Sequence, residues 1–399
     1  MKPNRSHVQG PLALEACAHP FTPSSTWAMP RWVAVAAMTL GVVAASGGVE
    51  AQTPPVVAGC TIFPQSAIFN QRIDDPARFP VHASSAKWIK SVGAARQLHA
   101  DWGTSEDANQ PGSYYGIPYN VIDGSPATTA WPVQAYEIVD PRDGNGAGVP
   151  AESDCAVLTN GTMSMRRGCS TVPVTERRFP YPLDAVIKAE HGHCNDPETC
   201  GDRHVLVLER GATCRLWESY FAYQVAGQWK SYSTAAWDLG SLAMRPKGWT
   251  SADAGGLPIL PLLARIDEAD VGEIHHALRV TFRDGVLDNK FVWPAGHTAG
   301  NAVNHGIPLG AVMRLKADFQ PPFYWAAQAR TLARAMQQHG VYVADLGSDF
   351  FIQGEPSVRW SSVAIKQIQG LKMSDFEFVD LHAITSDPRF KPDSFQAAW

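Results

Sequence analysis

Apolar and polar residues alternate at period two along Cys214-Arg-Leu-Trp-Glu-Ser-Tyr-Phe-Ala-Tyr223. That spacing predicts a strand with Cys214, Leu216, Glu218, Tyr220 and Ala222 on one face. Arg215, Trp217, Ser219, Phe221 and Tyr223 fall on the other. Just before it, Arg203-His-Val-Leu-Val-Leu-Glu209 is a nearly continuous apolar run, and Gly211-Ala-Thr between the two predicts a hairpin. Further strands are expected at 60–63, 119–122, 133–139, 228–232, 235–239, 311–316, 341–344 and 350–353. Residues 273–282 and 290–293 read as another hairpin, linked through Asp284-Gly285. Helical spacing is confined to 84–92, 326–338 and 361–369. The second of these helices stops at His339-Gly340, a C-cap pattern. Many short strands with few helices predict a mainly β fold, a jelly-roll-like β-sandwich with helical decorations.

The first fifty residues follow a different pattern. Met29-Pro-Arg31 precedes an apolar stretch, Trp32 to Ala45, shorter than the roughly 20 residues that span a bilayer. Val49-Glu-Ala51 then places small residues at the −3 and −1 positions of a cleavage site. Residues 1–51 are therefore expected to be a leader and signal peptide that carries the chain across a bacterial inner membrane. Residues 52–58 form a tail, and 59–399 form a single domain with an excursion at about 141–195. After cleavage no membrane association is expected, and the mature chain is placed in the periplasm or outside the cell. A net charge of −5 with no basic stripe argues against nucleic acid as a partner.

Cysteine usage agrees with export. Of seven cysteines, Cys17 lies in the leader, and the rest form an even set. In an oxidising compartment these predict three disulfides, with fifteen possible connectivities. The preferred pairing is Cys155–Cys169 and Cys194–Cys200, which close local loops, with Cys60–Cys214 tying the N-terminal strand to a core strand. A zinc site built from His191, His193, Cys194 and Cys200 is the rival reading, but its spacing fits poorly.

Candidate chemistry is interleaved with the strongest strands. Glu218 stands inside an apolar strand, where burial can shift its pKa and fit it for acid–base work. Asp202 and His204 share one sheet face, so a carboxylate can orient an imidazole. His276, Arg279, His297, Trp249 and Asp253 complete the set, with Asp238 a further carboxylate. Taken singly, His204 and His276 are the kind of histidine that more often satisfies a core. Trp217, Trp229, Trp237, Trp293 and Tyr223 are core residues unless several line a cleft, where they would stack on sugar rings. The nucleophile elbow, phosphate-binding loop, zinc-protease motif and dinucleotide fingerprint are all missing from the sequence.

The chain resembles a group of exported bacterial proteins of unassigned function. The resemblance is carried by Gly201-Asp-Arg-His-Val-Leu-Val207, Cys214-Arg-Leu-Trp-Glu218, Gly248-Trp-Thr-Ser-Ala-Asp-Ala-Gly-Gly-Leu-Pro-Ile259 and Gly272-Glu-Ile-His-His-Ala-Leu-Arg279. Trp293-Pro-Ala-Gly-His297 and the run ending Gly340-Val-Tyr-Val-Ala-Asp345 complete it, and 141–195 departs from it as an insertion. It implies one domain family and a shared site at Asp202, His204, Glu218, His276 and His297, but no reaction.

The leading expectation is a secreted enzyme acting on a polysaccharide or cell-wall glycan without a cofactor. It would be a glycoside hydrolase or a polysaccharide lyase. Glu218 and His204 would be acid and base, Asp202 would orient His204, and His276, Arg279, Trp249, Asp253 and His297 would bind substrate. A non-catalytic glycan-binding protein is the alternative. A third reading is a metal-dependent enzyme using His204, His276 and His297.

Overall fold

The computed structural model describes residues 53–124, 131–140, 146–182, 187–301 and 303–399. The expected leader, signal peptide and cleavage point lie outside these. The described chain is mainly β, with several open sheets and few helices.

Ten strands form the two larger sheets: β1 (His99–Asp101), β2 (Tyr119–Asp123), β3 (Val205–Arg210), β4 (Arg215–Tyr220), β5 (Ser233–Asp238), β6 (Leu278–Phe282), β7 (Val312–Leu315), β8 (Val341–Leu346), β9 (Phe351–Gln353) and β10 (Phe376–Phe378). The four-stranded sheet has the order β5-β4-β3-β2, and the six-stranded sheet the order β10-β7-β8-β6-β9-β1.

β3 and β4 form the expected hairpin, with Leu206 opposite Glu218 and Leu208 opposite Leu216. One face of this sheet sends Leu206, Leu208, Leu216, Ala235 and Trp237 into the main core. The other sends Val205, Val207, Trp217 and Ala236 into a second cluster with Phe179 and Tyr181. Burial on both faces is why Val205–Leu208 of β3 is continuously apolar instead of alternating. The six-stranded sheet contributes Leu278, Val280, Met313, Val341 and Val343 to the same main core.

Three sequence expectations change here. The strand 214–223 breaks at Phe221, whose φ of 50° ends the alternation. The hairpin through Asp284-Gly285 does not form. β6 instead pairs in parallel with β8, while Leu287–Phe291 pairs with Ile307–Leu309. The turn residues were right for a reversal, but both strands found longer-range partners. Parallel pairs also join β2 to β3 and β9 to β1, so the strand order is not the antiparallel one of a jelly roll. The excursion carries its own hairpin, Asp154–Thr159 with Thr162–Arg167, turning at Asn160 and Gly161, both at positive φ.

The helices α1 (Ser85–Val92), α2 (Ile266–Val271), α3 (Ala327–Gln338) and α4 (Ser362–Ile368) decorate the sheets. α3 ends as expected at Gly340, with φ of 78°. A Cβ there would meet Ile73 Cδ1 at 2.5 Å and the Met313 carbonyl at 2.8 Å, so the turn into β8 needs glycine. Cys60–Cys214, Cys155–Cys169 and Cys194–Cys200 are the three disulfides. They fit an oxidising, extracytoplasmic setting. Among the described residues no helix is long and apolar enough to cross a membrane.

Candidate functional site

Residues 251–260 form the hub of the polar cluster, and most of the sequence candidates grip it. His204, the residue before β3, sends Nε2 to the Ala252 carbonyl at 2.9 Å. Arg279 on β6 donates Nη2 to Asp253 Oδ1 at 2.6 Å. His297 sends Nδ1 to the Ala254 carbonyl at 2.8 Å. Glu218 accepts the Ile259 and Leu260 amides at 2.8 and 2.9 Å on Oε1, and Trp237 Nε1 at 3.1 Å on Oε2.

The six-stranded sheet supplies the floor. Leu278, Val280 and Phe282 face the core, so Arg279 and Thr281 fall on the opposite side. Arg279 lies across from Gln353 on β9, and Gln353 pairs with Asp101 on β1, so the three form a row. Arg279 donates to Gln353 Oε1, and Gln353 Nε2 donates to Asp101 Oδ2 at 3.4 Å. Asp345 enters from β8 by a bulge. Val343 pairs with Val280, but the next partner, opposite Thr281, is Asp345. Ala344 is the extra residue, and without it the carboxylate would point away from Arg279. The bulge is held from outside, because the Gly255 amide donates to the Ala344 carbonyl at 2.9 Å. A Cβ on Gly255 would lie 2.8 Å from that oxygen.

Asp253 is fully buried, and its carboxyl contacts that of Asp345. Burial first, and then the charge and hydrogen bond of Asp345, push Asp253 well above the usual carboxylate range despite Arg279. Two acids in contact cannot both ionise cheaply, and burial favours the protonated form of Asp253 over its charged one. Asp345 Oδ1 accepts the Ala254 and Leu346 amides, its Oδ2 is 3.7 Å from Arg279, and its side chain keeps 20% exposure. Asp101 is raised by burial and then by the charge of Glu190.

His204 is a fixed cation. Nδ1 faces Glu190 Oε2 at 2.6 Å and Nε2 faces a carbonyl, so both nitrogens meet acceptors and both must donate. Burial works against this charge, but Glu190 overrides it and holds the ring at about 9. It is therefore not a free base, and the carboxylate bonded to its Nδ1 is Glu190, with Asp202 acting on the ring through its charge. The Tyr220 hydroxyl is 2.6 Å from Asp140 Oδ2 and 3.1 Å from Asp202 Oδ1.

The folded pKa of His204 exceeds the ordinary 6.5, so its contribution to stability is complete below that pH and is lost as pH climbs through about 9. Between pH 7 and 10 the wild type should lose on the order of 3 kcal/mol that a His204→Gln variant does not lose. Urea midpoints at both pH values measure this, and parallel alkaline limbs would remove the assignment.

Other candidates lie elsewhere. His276 is buried with Nε2 on Glu268 at 3.0 Å and Nδ1 on the Ala277 carbonyl. Burial and then Arg265 push its pKa down. Trp249 is half-buried beneath the Arg245 guanidinium, Asp238 caps the local Gly240 turn, and Trp217, Trp229, Trp237 and Tyr223 are core. His204, His276 and His297 do not surround one point. Among the described residues no group of three or more His, Cys, Asp or Glu is placed to hold a metal ion. Cys194 and Cys200 are joined, which removes the zinc reading. Two open surface hollows, beside Val92–Gln97 and beside the hairpin of the excursion, include none of the cluster.

Sequence reasoning missed Asp345, Asp101, Glu190 and Gln353. Asp345 ends an apolar strand, a legible signal for a placed carboxylate. Glu190 sits in the segment read as an insertion. No protein-family model, no curated protein and no solved structure matches the chain.

Proposed function

We propose that the chain is an exported carbohydrate-active hydrolase acting on a neutral polysaccharide or cell-wall glycan, in the periplasm or outside the cell. The observation that carries this reading is the contact between the buried Asp253 carboxyl and the partly exposed Asp345, backed by Arg279. Environments that push two acids apart in pKa mark acid–base assignments. Asp345 would pass a proton to the glycosidic oxygen, with Asp253 as the reservoir behind it. Hydrolysis needs a second carboxyl about 5–5.5 Å away for retention, or about 6.5–9.5 Å for inversion. Asp253 and Asp345 touch, so they act as one unit. Asp101 is then the candidate to take a proton from the attacking water. Hydrolysis is favoured over elimination because Arg279 is buried and engaged by Asp253 and Gln353, leaving it unable to neutralise a uronate. The two larger sheets would form the layers of a sandwich.

Glycan binding without catalysis is the second reading. It is favoured by Phe323 and Tyr324, 93% and 67% exposed on a loop whose next residue, Trp325, is buried.

The test is release of reducing ends from a panel of neutral glycans by the wild type and by Asp345→Asn. Cleavage by the wild type and a loss of about a hundredfold or more in the variant, at unchanged melting temperature, are expected. Binding without cleavage would select the second reading. Equal rates would overturn the role of Asp345.

A further inference from the structure

Asp253 lies between two gripped carbonyls. The Ala252 oxygen is held by His204 Nε2, and the Ala254 oxygen by His297 Nδ1. The two rings come from different parts of the fold. His204 leads into β3 of the four-stranded sheet. His297 follows Trp293-Pro-Ala-Gly, and its own amide reaches the Gly255 carbonyl at 3.3 Å. The His204 bond sets the plane of the peptide that precedes Asp253, and the His297 bond sets that of the peptide after Ala254, one residue further on. Together they hold the segment on both sides of Asp253, and with it the direction of its side chain.

We propose that His204 and His297 are positioning residues, holding the Asp253 carboxyl against Asp345 through the carbonyls on either side of it. The inference rests on the reading of Asp253 and Asp345 as the reacting pair, and it explains how the two carboxyls are kept in contact. Asp253 Oδ2 is buried without a hydrogen-bond donor. A loop free to turn would carry that oxygen to water and break the contact with Asp345. Within the loop itself the Asp253 amide reaches the Ser251 hydroxyl and the Asp253 carbonyl accepts the Gly256 amide at 3.0 Å, so those bonds turn with it. The charged groups acting on Asp253 are Arg279 from β6, Asp345 from β8 and Glu218 from β4. Of these only Asp345 also holds a peptide beside Asp253, by accepting the Ala254 amide at 3.2 Å.

The two histidines use different ring nitrogens, which gives each its own conservative replacement. An asparagine amide lies where Nδ1 does, so His297→Asn keeps the donor and His297→Ala removes it. A glutamine amide lies where Nε2 does, so His204→Gln keeps the bond to Ala252 and His204→Ala removes it.

The experiment is a pH titration of the side-chain carboxyl carbons in ¹³C-aspartate-labelled full-length protein, with no substrate present. In His297→Ala and His204→Ala, Asp253 should titrate lower than in the wild type by about one pH unit or more. His297→Asn and His204→Gln should follow the wild type. His204→Ala orphans Glu190 and risks unfolding, so the half-buried His297 decides. A titration in His297→Ala that superimposes on the wild type overturns the proposal, as does a His297→Asn shift equal to that of alanine. The readout is independent of turnover. If the wild type cleaves no glycan while His297→Ala shifts Asp253, the clamp stands and the catalytic reading falls.

Discussion

Replacing Cys60 and Cys214 together by alanine should lower unfolding free energy by about 5 kcal/mol. Removing Cys194 and Cys200 the same way should cost about 2 kcal/mol. The contrast follows from loop length in the unfolded chain. The first bridge closes a separation of 154 residues and the second one of 6. Cross-linking distant residues removes more freedom from the unfolded chain, and the gain grows with the logarithm of the separation. The position adds to the effect. Cys60 is buried in the main core, and Cys214 stands immediately before β4, the strand that carries Glu218. Losing this bridge therefore frees the N-terminal segment from the sheet that supports residues 251–260. Urea midpoints of the two double variants, read with their slopes, check the ratio. Equal costs for the two pairs would show that chain entropy is not what the long bridge supplies.

The disulfides were legible because the chemistry is local and binary: cysteines in an oxidising compartment pair, and short spacings narrow the choice. The hairpin of β3 and β4 was legible for a similar reason, since period-two patterning on both sides of a Gly-containing turn leaves few alternatives. The pairing of β6 with β8 was not. More than fifty residues separate Arg279 from Asp345, and no local pattern says which strands meet across such a distance. The site divides along the same line. His204, Asp253, Arg279 and His297 stood out as polar residues in apolar or turn-rich surroundings, and the fold gathers them on one loop. Which nitrogen meets which carbonyl depends on tertiary placement alone. The bulge at Ala344 shows this most clearly, because one unpaired residue decides the face on which Asp345 falls. Strand parity also placed Glu218 correctly on the inner face. It could not say that donors already waited there to occupy both oxygens.

That occupancy leads to the sharpest expected result for Glu218. Glu218→Ala should destabilise the protein by at least about 4 kcal/mol, near the upper end for single substitutions. Three buried donors lose their acceptor: the Ile259 amide, the Leu260 amide and Trp237 Nε1. Each orphaned donor costs about 1–3 kcal/mol, and the void left by the side chain adds to this. Glu218→Gln should fall between alanine and the wild type. Its oxygen can still accept both backbone amides, but its NH₂ group then faces the indole N–H of Trp237, donor against donor. Burial raises the pKa of Glu218, although the same three donors favour its charged form. The carboxylate acts as a cap on the turn at Leu260–Leu262, and so anchors the far end of the segment that carries Asp253. A reacting acid behaves differently. Replacing it by its amide leaves the fold intact and removes turnover. Melting temperature and rate per folded molecule, measured together on Glu218→Gln, separate the two roles. The expected outcome is a lower melting temperature with the rate largely kept. A wild-type melting temperature with the rate abolished would return Glu218 to the chemistry and leave Asp345 without its role.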